Sequence, residues 1–590
     1  MKLTRAIKIS NGLIRGKWLL PRTLPPINNR VVVSTPYASF KKIPYAQPPL
    51  GRLRFHDPEP KENWDGVLDA YDDDTAIMNR DQEDCLYLNV YTPKLPNEQG
   101  EVVGSPLPVL AYINSPALGE EGNRGPDLGP DFLIQHNIVV VTMSSRNGAA
   151  GFLTTADYHA PGNFGLKDQL MVLQWIRENI QKFCGDPDHV TLAGSGLGAA
   201  FVHLHMLSLR SRGMFHGAIL QSGCALAPWA MKSLHDVRTA TFELGRQIGM
   251  ETTNSESLLL KLRSVDYETL EGTASKMTTL GLIPSFTPVV EAVQSHPAPM
   301  LRENPSYAIQ EGHFSKVPVV IGCNNKEGLM LAPMIARQPD MIPLIYDLML
   351  NEVVMKVLNA RTVDLEAIKM DVNKFYFHDR EPGLSSFPEL INFFSDACFV
   401  FSILKSAIMQ RSLQDVYFYE FSFSGEYNFK GREVNDVLAN ALNLSIAGAS
   451  HGDELPYLFN SLAGDEEYPS TPPQSPERLT LQRIAAMWAA FIKTGNPTHA
   501  EDNNILRLRE LWSPTTKKCS AMSYLDIGND LTMKRNCLPQ IVRMEFWLRL
   551  QDKYSREGRV LPMPYAHAFN KPEQEEKVRK FGHRNTGYRA

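Results

Sequence analysis

No stretch of about 18 consecutive apolar residues occurs in this 590-residue chain, so no membrane-spanning helix is legible in it. Internal repeats and low-complexity runs are missing too. Glycine and proline number 39 and 41, an ordinary share that excludes collagen-like and linker-like chains. The opening MKLTRAIKISNGLIRG has basic residues but no apolar centre, so as it stands it does not read as a secretory signal. Acidic residues are absent from the first 56 positions, where eleven Lys and Arg precede Asp57, although the whole chain carries −5. Cysteine is scarce: Cys85, Cys184, Cys224, Cys323, Cys398, Cys519 and Cys537 are odd in number, widely spaced and without a CxxC pair. That pattern speaks against zinc and against a disulfide framework. Its simplest reading is free thiols in a reducing compartment.

These absences bound the partners. A basic segment, 1–22, is set apart by charge and could meet an anionic membrane surface; the alternative is the solvated face of an ordinary domain. No nucleic-acid motif accompanies it, so no nucleic-acid partner is expected. No metal and no cofactor is implied. One Asn-x-Ser sequon, at Asn443 and Ser445, is close to uninformative alone. The expected plan is segment 1–22, one domain over 23–555, and a polar, poorly ordered tail over 556–590. The stretch YPSTPPQSP (468–476) reads as an extended, exposed loop.

Short apolar runs alternate with helical patterns through most of the chain. LPVLAYI (107–113), NIVVVTM (137–143), HVTLA (189–193), GAILQ (217–221) and VPVVIG (317–322) have strand length and composition. Leu166, Leu170, Leu173, Ile176 and Ile180 recur at helical spacing within 165–183, and 197–207 reads as a second helix. Strands apolar on both faces, alternating with helices, predict an α/β class with a mostly parallel central sheet and helices on both faces.

The informative segment is DPDHVTLAGSGLGAA (186–200). A strand, a glycine-flanked turn and a helix make the frame of a nucleophile elbow, whose central residue presents a serine oxygen clear of the sheet. The turn here is Gly194-Ser195-Gly196-Leu197-Gly198, and its centre, Gly196, has no side chain. Ser195 is a weak substitute, because Ala193 and Leu197 stand where a serine elbow centred on it needs glycines.

The chain here resembles the carboxylesterase/cholinesterase family of the α/β-hydrolase fold. The similarity is carried by IPYAQPPLGRLRF (43–55), EDCLYLNVYTP (83–93), GPDFLI (129–134), GNFGLKDQ (162–169), GDPDHVTL (185–192), ILQSG (219–223), HGDELPYLF (451–459) and TGNPT (494–498). The family elbow reads Gly-Glu-Ser-Ala-Gly. A glycine in place of the serine resembles the non-catalytic, neuroligin-like members, whereas GMFHGAILQSGCALAPWA (213–230) looks more like intracellular insect esterases.

The resemblance implies an acid at Glu327, from Gly322-Cys323-Asn324-Asn325-Lys326-Glu327-Gly328, and a base at His451, from His-Gly-Asp-Glu. In a working site that histidine would take the serine proton while the glutamate fixes its tautomer. With Gly196 at the centre the triad is vestigial, and the alternative is a buried hydrogen-bonded pair kept because neither member tolerates losing the other. The family's oxyanion loop, His-Gly-Gly-Gly-Phe, corresponds to Asn114-Ser115-Pro116-Ala117-Leu118. Pro116 offers no N–H, and Ser115 and Ala117 lack glycine's freedom, so with Leu197 they form a degenerate donor set. Cys85 and Cys398 stand where secreted relatives place half-cystines, but the expected partners are missing.

These readings imply a carboxylesterase-like protein that is not a working enzyme and that binds a small apolar or ester-like molecule or a protein partner. The alternatives are an ester hydrolase with another nucleophile and a neuroligin-like adhesion or scaffold protein. The implied place is the cytoplasm or the cytoplasmic face of a membrane, with the cell surface as the alternative. RMEFWLRLQDKY (543–554) is an amphipathic candidate for a homodimer contact, and core packing is the competing use of its apolar face.

Overall fold

A computed structural model describes residues 2–21, 35–71, 83–115, 128–279, 283–460, 472, 474–498, 511–515 and 522–556. Pro116 and Ala117, most of the 468–476 loop and all but the first residue of the 556–590 tail lie outside the described residues.

Val139–Met143 and Leu107–Ile113 run parallel, and each next strand joins in the same direction: Gly185–Ser195, Gly217–Gln221, Val319–Asn324, Val416–Phe421 and Tyr524–Ile527. Antiparallel strands finish both edges of this 12-stranded sheet. Along Leu107–Ile113, Val109, Ala111 and Ile113 enter one apolar cluster and Leu110 and Tyr112 the other. Successive strand residues point to opposite faces, so a run buried on both faces has to be apolar throughout. Helices Phe164–Asn179 and Leu197–Leu207 cover the first face, and helix Pro476–Thr494 covers the second. The expected α/β-hydrolase architecture is the observed one.

Three local differences have physical reasons. Segment 1–22 is set apart by charge but is woven into the sheets: Lys17–Leu19 pairs with Tyr37–Pro44, and Ile7–Ile9 with Gly12–Arg15. Lys8 points outward between inward Ile7 and Ile9, Ile14 is buried too, and even Lys17 is buried, a strand pattern too short to read in isolation. The strand expected at 189–193 extends over Gly185–Ser195, because Gly185 pairs with Leu107 ahead of an irregularity that ends at Val190, and pairing with Gly217–Gln221 runs on to Ser195 at the elbow. The run Leu384–Gln410 is long and apolar enough to cross a membrane by length, yet 94% of its most apolar window is buried within the protein. It is core.

The helix Ile541–Tyr554 turns most of its apolar residues inward: Met544, Phe546, Trp547, Leu548 and Leu550 are buried, while Val542 is exposed. Phe546 stacks on Phe375 at 4.0 Å, and Trp547 donates to the hydroxyl of Tyr376 at 2.8 Å.

Candidate functional site

The site forms where the parallel strands end at their carboxyl edge, the usual place for a ligand in an open α/β sheet. Strand Gly185–Ser195 stops, the chain turns at Gly196, and helix Leu197–Leu207 begins. The turn is tight enough that a Cβ on Gly194 would lie 2.5 Å from the carbonyl carbon of Gly198. Only glycine tolerates that approach. Gly196 itself sits at φ 56° and ψ −117°, a backbone state strained for any residue with a side chain. Its N–H donates to the carbonyl of Gln221 at 2.8 Å, which locks the turn to the neighbouring strand.

Glu327 follows strand Val319–Asn324 and is fully buried. One carboxylate oxygen accepts from the backbone N–H of Asn324 at 2.7 Å. The other pairs with Nδ1 of His451 at 2.6 Å. His451 lies in the turn after helix Phe429–Leu442 and is 8% exposed. Its ring packs against Phe399 with centroids 4.9 Å apart. Nε2 points at the elbow: it lies 2.9 Å from where a Cβ on Gly196 would stand. Sequence-distant Gly196, Glu327 and His451 are thus brought into one line.

Burial pulls the imidazole toward neutrality, but the charge and hydrogen bond of Glu327 outweigh it, with Glu454 and Asp453 adding, so His451 titrates above the ordinary histidine value. A carboxylate only accepts, so the hydrogen between the two groups belongs to Nδ1.

Of the remaining candidates, Leu197 opens the helix with its N–H at the elbow, and Ser115 is buried beside Gly198. Pro116 and Ala117 are not among the described residues. No hydrogen bond joins Ser195 to His451 among them.

Some neighbours were not singled out from sequence. Glu454, three residues after His451, is pushed up to about 7 by burial and by the charge of Glu327. It accepts from Asn324 Nδ2 at 2.7 Å and from Gln221 Nε2 at 3.3 Å. Its signal was the same HGDE motif that located the histidine. Trp229 and Phe399 had no sequence signal. They line a small apolar cavity with Ile283, Met349, Val353 and Cys398. The Trp229 indole is pinned by donating to the carbonyl of Cys398 at 2.9 Å. Cys398 and Phe399 lie in a π-helical turn, Asp396–Val400, the kind of helix irregularity that re-aims side chains at sites. The described cysteines, Cys85, Cys184, Cys224, Cys323, Cys398 and Cys537, are all free.

A carboxyl-edge elbow facing an acid–histidine pair defines an α/β-hydrolase site. The chain belongs to the carboxylesterase family, whose model matches residues 4–547. It is 30% identical to a juvenile hormone esterase of Tribolium castaneum, over 80% of this chain and 82% of that one. It is 31% identical to esterase FE4 of Myzus persicae, over 81% and 83% of the two chains. The crystal structure of juvenile hormone esterase from Manduca sexta, with OTFP covalently attached, is similar with a TM-score of 0.78 at 25% identity. That likeness covers 93% of this chain and 99% of the other.

Proposed function

We propose that this carboxylesterase-family chain is a non-catalytic member that binds an apolar or ester-like small molecule above the elbow without turning it over. One observation carries the reading: the residue that the His451–Glu327 pair faces is Gly196, which has no atom that can attack a carbonyl. Loss of a nucleophile serine lowers hydrolysis by about 10⁶, and loss of one oxyanion donor by about 10² to 10³, with the effects not additive. The acid and base survive because they satisfy each other in a buried site. Trp229, Phe399 and Met349 supply an apolar wall beside the histidine for a ligand's hydrocarbon part. The free cysteines support a reducing compartment, the cytoplasm or its membrane face.

A second reading, ester hydrolysis through another nucleophile, is favoured by the relatives, which are esterases by name. Against it, the hydroxyl of Ser222 and the thiol of Cys224 are buried, and burial pushes the Cys224 thiol up to about 12. The purified chain with p-nitrophenyl butyrate separates the two readings. Release of p-nitrophenol at the buffer rate is expected. Saturable turnover well above buffer overturns the non-catalytic reading.

A further inference from the structure

We propose that the first turn of helix Pro476–Thr494 binds a phosphoryl group, held by the guanidinium of Arg478 and by the backbone N–H groups at the helix start. The site is separate from the one above Gly196 and does not depend on how that one is read. The phosphoryl group has two possible sources: free phosphate, or an ester on Ser475, the residue that caps this helix.

The first support is a buried cation without an anion. Arg478 is 2% exposed, and neither Nη1 nor Nη2 has a hydrogen-bond partner among the described residues. Buried charges are paired as a rule, because an unpaired one is costly to desolvate. Burial pulls this guanidinium below the ordinary arginine value, and among the described residues only the Tyr427 hydroxyl pulls the other way. No carboxylate among them neutralises it. The charge also stands at the wrong end of its helix: Arg478 is the third of 19 helical residues, where the aligned peptide dipoles are already positive.

The second support is the helix start. Pro476 has no N–H, and the N–H of Glu477 has no acceptor among the described residues. The N–H of Arg478 reaches the Ser475 hydroxyl only at 3.4 Å, longer than an ordinary hydrogen bond. Free N–H groups at this end of a helix favour an anion. Helical side chains lean toward the N-terminus of their helix, so the Arg478 guanidinium is carried toward the same turn. Pro472, Gln474 and Pro476 are exposed, which puts that turn at the protein surface.

The donor set selects the ligand class. A phosphoryl group carries about two negative charges near neutral pH and three acceptor oxygens, enough for a guanidinium fork and backbone N–H groups together. One group opposes it: Glu477, the only acid in the first turn, whose Oε1 lies 3.0 Å from where a Cβ on Gly425 would stand. In the covalent case the Ser475 oxygen takes the γ-phosphoryl group of ATP from a proline-directed kinase, ADP leaves, and the hydroxyl proton goes to solvent. The turn must open for that transfer, because Ser475 is 8% exposed.

The test is calorimetric titration of the full chain with sodium phosphate at pH 7.5 and constant ionic strength, beside Arg478→Gln, with Ser475 mapped by mass spectrometry in chain isolated from eukaryotic cells. Free phosphate as the source predicts an unmodified Ser475, binding in the millimolar range or tighter, and at least about tenfold weaker binding by the variant. The covalent source predicts phosphoserine at 475 and phosphate binding that appears only after phosphatase treatment. No phosphate binding by chain whose Ser475 is unmodified, as isolated or after phosphatase, overturns the proposal. Equal binding by Arg478→Gln overturns it too, and marks an adventitious ion only. If that variant does not fold, Glu477→Gln decides: removing the opposing carboxylate should tighten phosphate binding several-fold, and an unchanged affinity overturns the proposal.

Discussion

Nε2 of His451 stands 2.9 Å from where a Cβ on Gly196 would be, closer than real Cβ atoms approach a neighbour. A working serine–histidine pair needs about 2.6–3.2 Å between the ring nitrogen and the hydroxyl oxygen, which is one bond beyond Cβ. The histidine therefore sits in the room that a serine would need. Its other nitrogen keeps a 2.6 Å bond to Glu327. The pair is intact, and the residue it faces is the one that departs from the family pattern.

Restoring the serine alone should not restore an esterase. Gly196→Ser must displace the imidazole and must also place a side chain at φ 56° and ψ −117°. Strain of that kind costs about 1–3 kcal/mol. The variant should melt at lower temperature and is expected to hydrolyse p-nitrophenyl butyrate only weakly, because Pro116, which has no N–H, stands where the family resemblance puts an oxyanion donor. Adding glycines at 115, 116 and 117 should raise the rate further. Robust turnover from the single change would show that the loop reading is wrong.

Removing one member of the buried pair should be severe. His451→Ala leaves the Glu327 carboxylate buried with only the Asn324 N–H, and losing one partner of a buried pair typically costs about 3–5 kcal/mol. A double variant that also carries Glu327→Ala should lose less than the sum of the single losses. Urea denaturation of the four proteins measures this. Additive losses would mean that the pair contributes nothing as a pair.

Burial gives Glu454 a distinctive pH signature. Its carboxyl is pushed up to about 7 in the fold, whereas an unfolded glutamate titrates near 4.3. Between these values the folded chain holds a proton that the unfolded chain has released. Raising the pH through that window therefore lowers stability. Glu420 and Glu271, also pushed up to about 7 by burial, act in the same direction. Glu454→Gln should remove one share of the decline, at most about 3 kcal/mol between pH 5 and pH 8. Denaturation midpoints of the two proteins across that range give the comparison. A variant that declines as steeply as the parent would contradict it.

The thiols should be countable and ranked. Unfolded without reductant, the chain should titrate at least the six described cysteines as free. In the folded protein Cys537, the only one of these six that is not fully buried, should react first with a maleimide. Burial raises the pKa of Cys398 and Cys224 to about 12, so both should react far more slowly. A shortfall in the unfolded count would mean that a disulfide is present.

Elements whose burial pattern is local were legible in the sequence. Leu107–Ile113, Gly217–Gln221 and helix Leu197–Leu207 run between the residues that their apolar runs mark. Glu327 and His451 were reached through short motifs tied to turns at strand ends. The cavity was not legible: Trp229, Met349 and Phe399 come from segments far apart in the chain and meet only through packing. Charge misdirects at 1–22, where a short strand carries outward Lys8 between inward Ile7 and Ile9 and where Lys17 itself is buried. Glu454 was in view in the HGDE motif. Its effect on the site depends on Asn324 and Gln221, which only the folded sheet brings to it.

The central claim is that no group in this site can form an acyl or phosphonyl bond. Intact-mass spectrometry of the purified chain after incubation with a fluorophosphonate tests it most directly. The account predicts an unchanged mass under conditions that fully label a serine esterase run alongside. A stoichiometric adduct, mapped to any residue near Gly196, would contradict it.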